Sequence, residues 1–120
     1  MEFKKSVVIL GTKYKIIRKS REDLLPHKCL GYTAYYSKEI CIPLINTFSY
    51  YKEKYSEAEI DEMEKHILRH ELIHAFINES GLYNETNNTK AGWARNEEMV
   101  DFFAMQIPKI TKVFQELNII

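Results

Sequence analysis

His70-Glu71-Leu72-Ile73-His74 lies inside a run, residues 56–80, that reads as one long helix. Residues four apart on a helix share a face and sit about 6 Å apart along the axis. His70 and His74 can therefore offer two imidazoles to one metal ion. Glu71 projects roughly 100° round the helix from His70, beside such an ion, where a carboxylate can handle protons. The rest of the run supports a helix. Ser56 with Glu59 three residues on predicts a capping box, and the acidic first turn suits the helix dipole. Ile60, Met63, Ile67, His74 and Ile77 form one stripe, with Leu68, Leu72 and Ala75 beside it. So broad a face is expected of a helix packed on two sides. Gly81 is a natural stop.

N-terminal to this helix the pattern is that of strands. Residues 3–10 and 13–19 are rich in Val, Ile and Tyr and flank Gly11-Thr12, a hairpin signal. In the second run Tyr14 and Ile16 alternate with Lys13 and Lys15, so one face is half-buried. Residues 20–31 form a polar connection with one helical turn expected at Glu22–Leu25. Two further strands are expected at Tyr32–Tyr36 and Ile40–Leu44, Pro43 marking an edge or a strand end. Residues 45–55 read as an aromatic, irregular linker. About four strands with short connections make a small antiparallel or mixed sheet within residues 1–45.

Beyond the helix, residues 82–92 are Asn-rich and read as a loop. Residues 93–106 predict a second helix with Met99, Phe102, Phe103 and Met105 as its apolar positions. Asn96 can instead cap a helix beginning at Glu97. Pro108 is expected to open a last short helix reaching about Leu117. The expectation is one α+β domain over residues 1–120. Its sheet packs against an active-site helix (56–80) and, within 93–118, a glutamate-bearing helix and a short C-terminal helix.

A chain of 120 residues with 45% hydrophobic and 28% charged content can bury one core in water. No apolar run approaches the roughly 18 residues needed to span a bilayer. The N-terminus has neither the apolar length nor the cleavage site of a signal peptide, so a cytoplasmic protein without membrane contact is expected. On that reading the sequons at Asn84 and Asn87 carry no weight. Net charge is zero. The first 28 residues are basic, with eight Lys/Arg against three acids, and residues 53–64 are acidic. A solvated hairpin explains the basic stretch, and no nucleic-acid partner is expected. Cys29 and Cys41 lack C-x-x-C pairing and are expected as buried free thiols.

A catalytic zinc takes three protein ligands and keeps one position open for water. The two histidines leave one ligand to find. Glu97 and Asp101 are four apart on the second predicted helix, so one carboxylate can reach the metal while the other accepts from a ligating imidazole. Glu98 competes with Glu97 but points about 100° away from the face shared with Asp101.

H-E-x-x-H on a helix with Asn96, Glu97 and Asp101 downstream resembles the gluzincin metallopeptidases, whose third ligand is a glutamate on a later helix. The run Glu97…Asp101…Phe103-Ala104 with a following proline is more similar to the small ImmA/IrrE-type peptidases of phages and mobile elements, and to the minigluzincins. The likeness covers mainly residues 66–110. It implies a zincin-like fold, with Zn2+ held by His70, His74 and Glu97. Glu71 would be the general base and Asp101 the carboxylate that orients His70 or His74. It implies a peptidase acting on a protein or peptide, a repressor-like phage or mobile-element regulator among the candidates. Met99-Val100 departs from the family's usual wording, and no DNA-binding helix-turn-helix is recognisable. The competing expectation is a zinc-binding regulatory or interaction protein with a peptidase-like site and little turnover.

Other conspicuous residues have plainer readings. His66 continues the i, i+4 ladder, but a fourth protein ligand would close the site, so it reads as structural or rim. Tyr32, Tyr35, Tyr36, Tyr50, Tyr51 and Tyr55 read as packing at the core edge, one of them a candidate oxyanion donor. His27 reads as a surface loop residue.

Overall fold

The computed structural model describes residues 2–82 and 92–120. The Asn-rich loop and the sequons at Asn84 and Asn87 lie outside the described residues, except for the loop's two end positions.

Strands β1 (Ser6–Ile9) and β2 (Thr12–Lys19) form the expected hairpin. Its turn is tight: Leu10 has φ 47° and Gly11 φ 86°. Two consecutive left-handed residues match the right-handed twist of the flanking strands. Next come a one-turn helix α1 (Arg21–Leu24) and a 3-10 turn (Leu25–His27), close to the turn expected at 22–25. The second strand pair is β3 (Tyr32–Ala34) and β4 (Glu39–Pro43).

The four-stranded sheet has the order β1-β2-β4-β3. β4 inserts between β2, to which it is parallel, and β3, to which it is antiparallel. The sheet is therefore mixed, and β3 forms one of its edges. Pro43 is the last residue of the inner strand β4, so its missing N–H falls where the ladder ends. The stretch after it is more ordered than expected. In place of an irregular linker there are a 3-10 turn (Ile45–Thr47) and a helix α2 (Ser49–Lys54).

The long helix α3 (Glu57–Glu79) begins at the expected capping box. Ser56 Oγ accepts from the Glu59 N–H, and the Glu59 carboxylate accepts from the Ser56 N–H at 2.7 Å. The helix ends at Ser80, followed by Gly81 with φ 86°. Ile9, Tyr14, Ile40 and Ala75 are fully buried where α3 meets the sheet, with Val7, Ile16, Leu68 and Leu72 packed round them. Each isoleucine so buried stabilises the fold by about 1.5–3 kcal/mol.

Polar pairs fasten α3 across the sheet at both ends. Toward its start, Glu64 is buried, pairs with Arg18 of β2 and accepts from the Ile45 N–H. At its end, Glu79 accepts from Thr12 (2.7 Å), Tyr14 (2.6 Å) and Lys38 (2.7 Å). α3 therefore runs antiparallel to β2 in a fixed register.

The last helix, α4 (Glu97–Glu116), starts at Asn96, whose side chain accepts from the Met99 N–H at 2.7 Å. Of the two starts the sequence allowed, this is the later one. A short 3-10 turn (Trp93–Arg95) precedes it. Pro108 does not open a separate helix; α4 continues through it. Proline lacks the N–H that would meet the carbonyl four residues back. That carbonyl, on Ala104, instead accepts from Arg69 Nε of α3 at 2.8 Å. The first half of α4 packs Val100 and Ala104 into the core. The second half leaves Ile107, Ile110, Val113 and Phe114 exposed.

No helix among the described residues is long and apolar enough to cross a membrane. Both cysteines are free, but Cys29 is exposed and only Cys41 is buried. Cys29 lies in the irregular stretch before β3, where no element covers it. Tyr36 and Tyr50 are likewise exposed, not core-edge packing.

Candidate metal centre

The register of α3 against α4 brings His70, His74 and Glu97 together, three groups that could hold a metal ion. His70 Nε2 and His74 Nε2 are 3.2 Å apart, one helical turn separating the residues. Glu97 Oε2 lies 2.9 Å from His70 Nε2 and 3.3 Å from His74 Nε2. A tetrahedron with ligand bonds of about 2.0–2.1 Å has edges of roughly 3.3 Å. The donor spacing therefore fits a small divalent ion.

The chemistry of the donors agrees with the spacing. His70 Nδ1 is 3.4 Å from Asp101 Oδ1. With Nδ1–H donating to that carboxylate, the lone pair of His70 is on Nε2, facing the Glu97 carboxylate. Two acceptors at 2.9 Å repel unless a cation lies between them. In that tautomer the set could hold a positive ion. It is reached from solvent, since the Glu97 side chain is 70% exposed while His70 and His74 are mostly covered.

Asp101 makes a shorter contact with His66 Nε2, 2.8 Å, than with His70. It thus joins His66 to His70, and among the described residues no contact to His74 is recorded. His66 stands outside the three-residue set, a rim position consistent with its reading in the sequence. Burial alone would raise the Asp101 carboxyl, but the hydrogen bonds from His66 and His70 outweigh it and hold the group below its ordinary range.

Glu71 is only 6% exposed. The Thr33 hydroxyl, carried on β3, is 2.7 Å from its Oε2 and 2.9 Å from its main-chain carbonyl oxygen. Burial pushes the Glu71 carboxyl above the ordinary carboxylate range, while the Thr33 hydrogen bond and the neighbouring imidazoles His74 and His70 partly counteract this. Gly31 makes the close packing possible. A Cβ there would stand 2.8 Å from the Cys41 carbonyl and 3.0 Å from Ile67 Cγ2, so any side chain would push β4 and α3 apart.

The centre opens into a cleft of about 500 Å³, with Tyr32 and Thr33 on one side and Arg95 and Glu97 on another. Of the clustered tyrosines, Tyr32 is the one lining it. A larger apolar hollow, about 720 Å³, is walled by Leu30, Tyr51, Tyr55, Met63 and Ile67. It has His66 on its wall but none of the three candidate ligands, so it is not the place for metal chemistry.

Sequence reading placed His70, Glu71, His74, Glu97 and Asp101 on the right helices, and the structure assembles all five. Thr33, Gly31, Asn78 and Arg95 were not foreseen. Asn78 follows His74 by four residues and was findable from that spacing; the others required the tertiary fold. Comparison with protein-family models, curated proteins and solved structures gives no match.

Proposed function

We propose that the chain is a zinc-dependent peptidase of zincin-like fold, akin to the gluzincins and to the ImmA/IrrE-type peptidases. The observation that carries this reading is the buried Glu71 carboxylate beside the His70, His74 and Glu97 donors. Burial of an acid next to an ion site is a costly arrangement that suits a proton carrier.

His70, His74 and Glu97 would hold the zinc, with Asp101 fixing the His70 ring through Nδ1. When bound, the zinc supplies a Lewis acid that activates water near neutral pH and polarises a carbonyl. Glu71 accepts a proton from the attacking water as its oxygen bonds to the peptide carbonyl carbon. Glu71 then delivers that proton to the amide nitrogen as the C–N bond breaks, leaving a carboxylic acid and an amine. Thr33 holds Oε2 in place throughout. The free edge of β3 borders the cleft, so an extended peptide can add there as a further strand. The substrate class is a protein or peptide, and the family likeness directs attention to repressor-like regulators.

Metal content of protein purified without added metal, wild type beside His74→Ala and Glu97→Ala, tests the centre. About one zinc per chain, lost in both variants, is the expected result. Hydrolysis of a peptide library by wild type but not by zinc-loaded Glu71→Gln tests the chemistry. Undiminished hydrolysis by that variant would refute the mechanism. Zinc uptake without hydrolysis would favour a metal-bearing interaction protein.

A further inference from the structure

The second half of α4 carries apolar side chains that no described element covers fully. Ile107, Ile110, Val113, Phe114 and Leu117 stand 38–64% exposed. Together they offer on the order of 500 Å² of apolar surface in one strip, near the upper limit of what a monomer leaves in water. A helix does not need them there, since Lys, Glu or Gln would serve exposed helical positions as well.

The strip is ordered along the helix. Ile107, Ile110, Phe114 and Leu117 follow the 3-4-3 spacing of a coiled-coil seam. Read backward the spacing is the same, so a second copy running antiparallel presents a matching seam. With a two-fold axis at residue 112, Ile107 meets Leu117 of the other copy and Ile110 meets Phe114, each twice. Between residues 103 and 117 no charged side chain falls within about 60° of Ile110 round the helix. Like charge therefore does not oppose self-association through this face. The charges flank it instead. Lys109 and Glu116, both exposed, lie about 100–120° from Ile110 on the same side. In the antiparallel pair, Lys109 of one copy comes within about 1.5 Å along the axis of Glu116 of the other, and the two-fold makes two such pairs. A parallel pair would put the two flanks on opposite sides of the seam and make neither contact.

We propose that the second half of α4 is a self-association surface that joins two copies of this chain as an antiparallel helix pair. Covering the strip on both copies removes about 1,000 Å² from water, the lower limit for a specific interface, so the dimer is a micromolar one. Overlap is confined to residues 107–117. Glu97 lies about 15 Å before Ile107 along the helix, so the second copy's helix leaves the candidate metal centre uncovered.

Sedimentation equilibrium of the full chain from about 1 to 500 µM tests this. Wild type is expected to pass from monomer to dimer within that range. Ile110→Glu places a charge in the seam and should weaken association at least about a hundredfold. Val113→Asp, at a more exposed position of the same strip, reads the surface again if Ile110→Glu unfolds the protein. Lys109→Glu and Glu116→Lys should each weaken the dimer about tenfold, because one substitution acts at both ends of a two-fold pair. The double reversal should restore it. Thermal midpoints taken at the monomeric end of the range, equal to that of wild type, show that the fold is intact. A wild type monomeric throughout, a dimer indifferent to Ile110→Glu and Val113→Asp, or one not restored by the double reversal would overturn the proposal. So would a monomer that floats with phosphatidylcholine–phosphatidylglycerol vesicles, which assigns the strip to a membrane surface. Metal content, expected to be unchanged in every variant, keeps this result separate from that of the proposed centre.

Discussion

The Thr33 hydroxyl stands 2.7 Å from Oε2 of Glu71, across the boundary between the edge strand and the long helix. One short strand thus borders the cleft and also steadies the buried acid. The bond favours the ionised carboxylate, whereas burial favours the protonated one, and burial is the larger effect. Thr33→Val removes one opposing influence and so raises the Glu71 carboxyl further. On the proposed peptidase mechanism, the acid limb of a kcat/KM profile should then move to higher pH. An unmoved limb would mean that Glu71 is not the group titrating there.

Glu79 responds to pH in the opposite sense. Hydrogen bonds from Lys38, Tyr14 and Thr12 lower its carboxyl to about 2, despite some opposing burial. A folded pKa below the unfolded one gives stability that is complete above the unfolded value, 4.5, and is lost as pH falls toward 2. The thermal midpoint of wild type should therefore drop across that window. Glu79→Gln should start lower at neutral pH and decline less on acidification. Parallel curves for the two proteins would remove Glu79 from the acid response.

The carbonyl of Ala104, left without its usual partner by Pro108, makes α4 dependent on Arg69 of α3. Arg69→Ala should cost about 1–3 kcal/mol by leaving that carbonyl unsatisfied. Pro108→Ala restores an N–H in the same place. In that background Arg69→Ala should cost clearly less, a coupling that urea unfolding of the four proteins would measure. Additive losses would contradict the compensation.

Leu10 occupies the left-handed region at φ 47° beside Gly11, with its side chain largely in solvent. A leucine there carries a steric cost of about 1–2 kcal/mol, which Asn tolerates better. Leu10→Asn should raise stability by about 1 kcal/mol and leave metal uptake unchanged. A fall in the unfolding midpoint would show that the exposed leucine contributes packing instead.

Local signals carried much of the architecture. The Ser56–Glu59 capping box, the Gly81 stop and the Gly11 hairpin each work within a few residues, so one-dimensional reading located α3 and the first strand pair. The His70, His74 and Glu97, Asp101 spacings are likewise properties of single helices. Pro108 misled because its penalty depends on whether its lost hydrogen bond is replaced, and Arg69 lies 35 positions before the Ala104 carbonyl that it satisfies.

What the sequence determined by itself was the set of groups each helix would show on one face, because helical periodicity is local. The convergence of those faces was decided by the tertiary structure. Glu64 and Glu79 fix the register of α3 on the sheet, and the α3–α4 packing brings Glu97 to within 2.9 Å of His70. The packing of α3 on the sheet carries Thr33 to Glu71, and the α3–α4 packing sets Asn78 and Arg95 on one cleft. The physical reason is distance: contacts between elements depend on how buried faces interlock in three dimensions, and no spacing along one helix or strand encodes that.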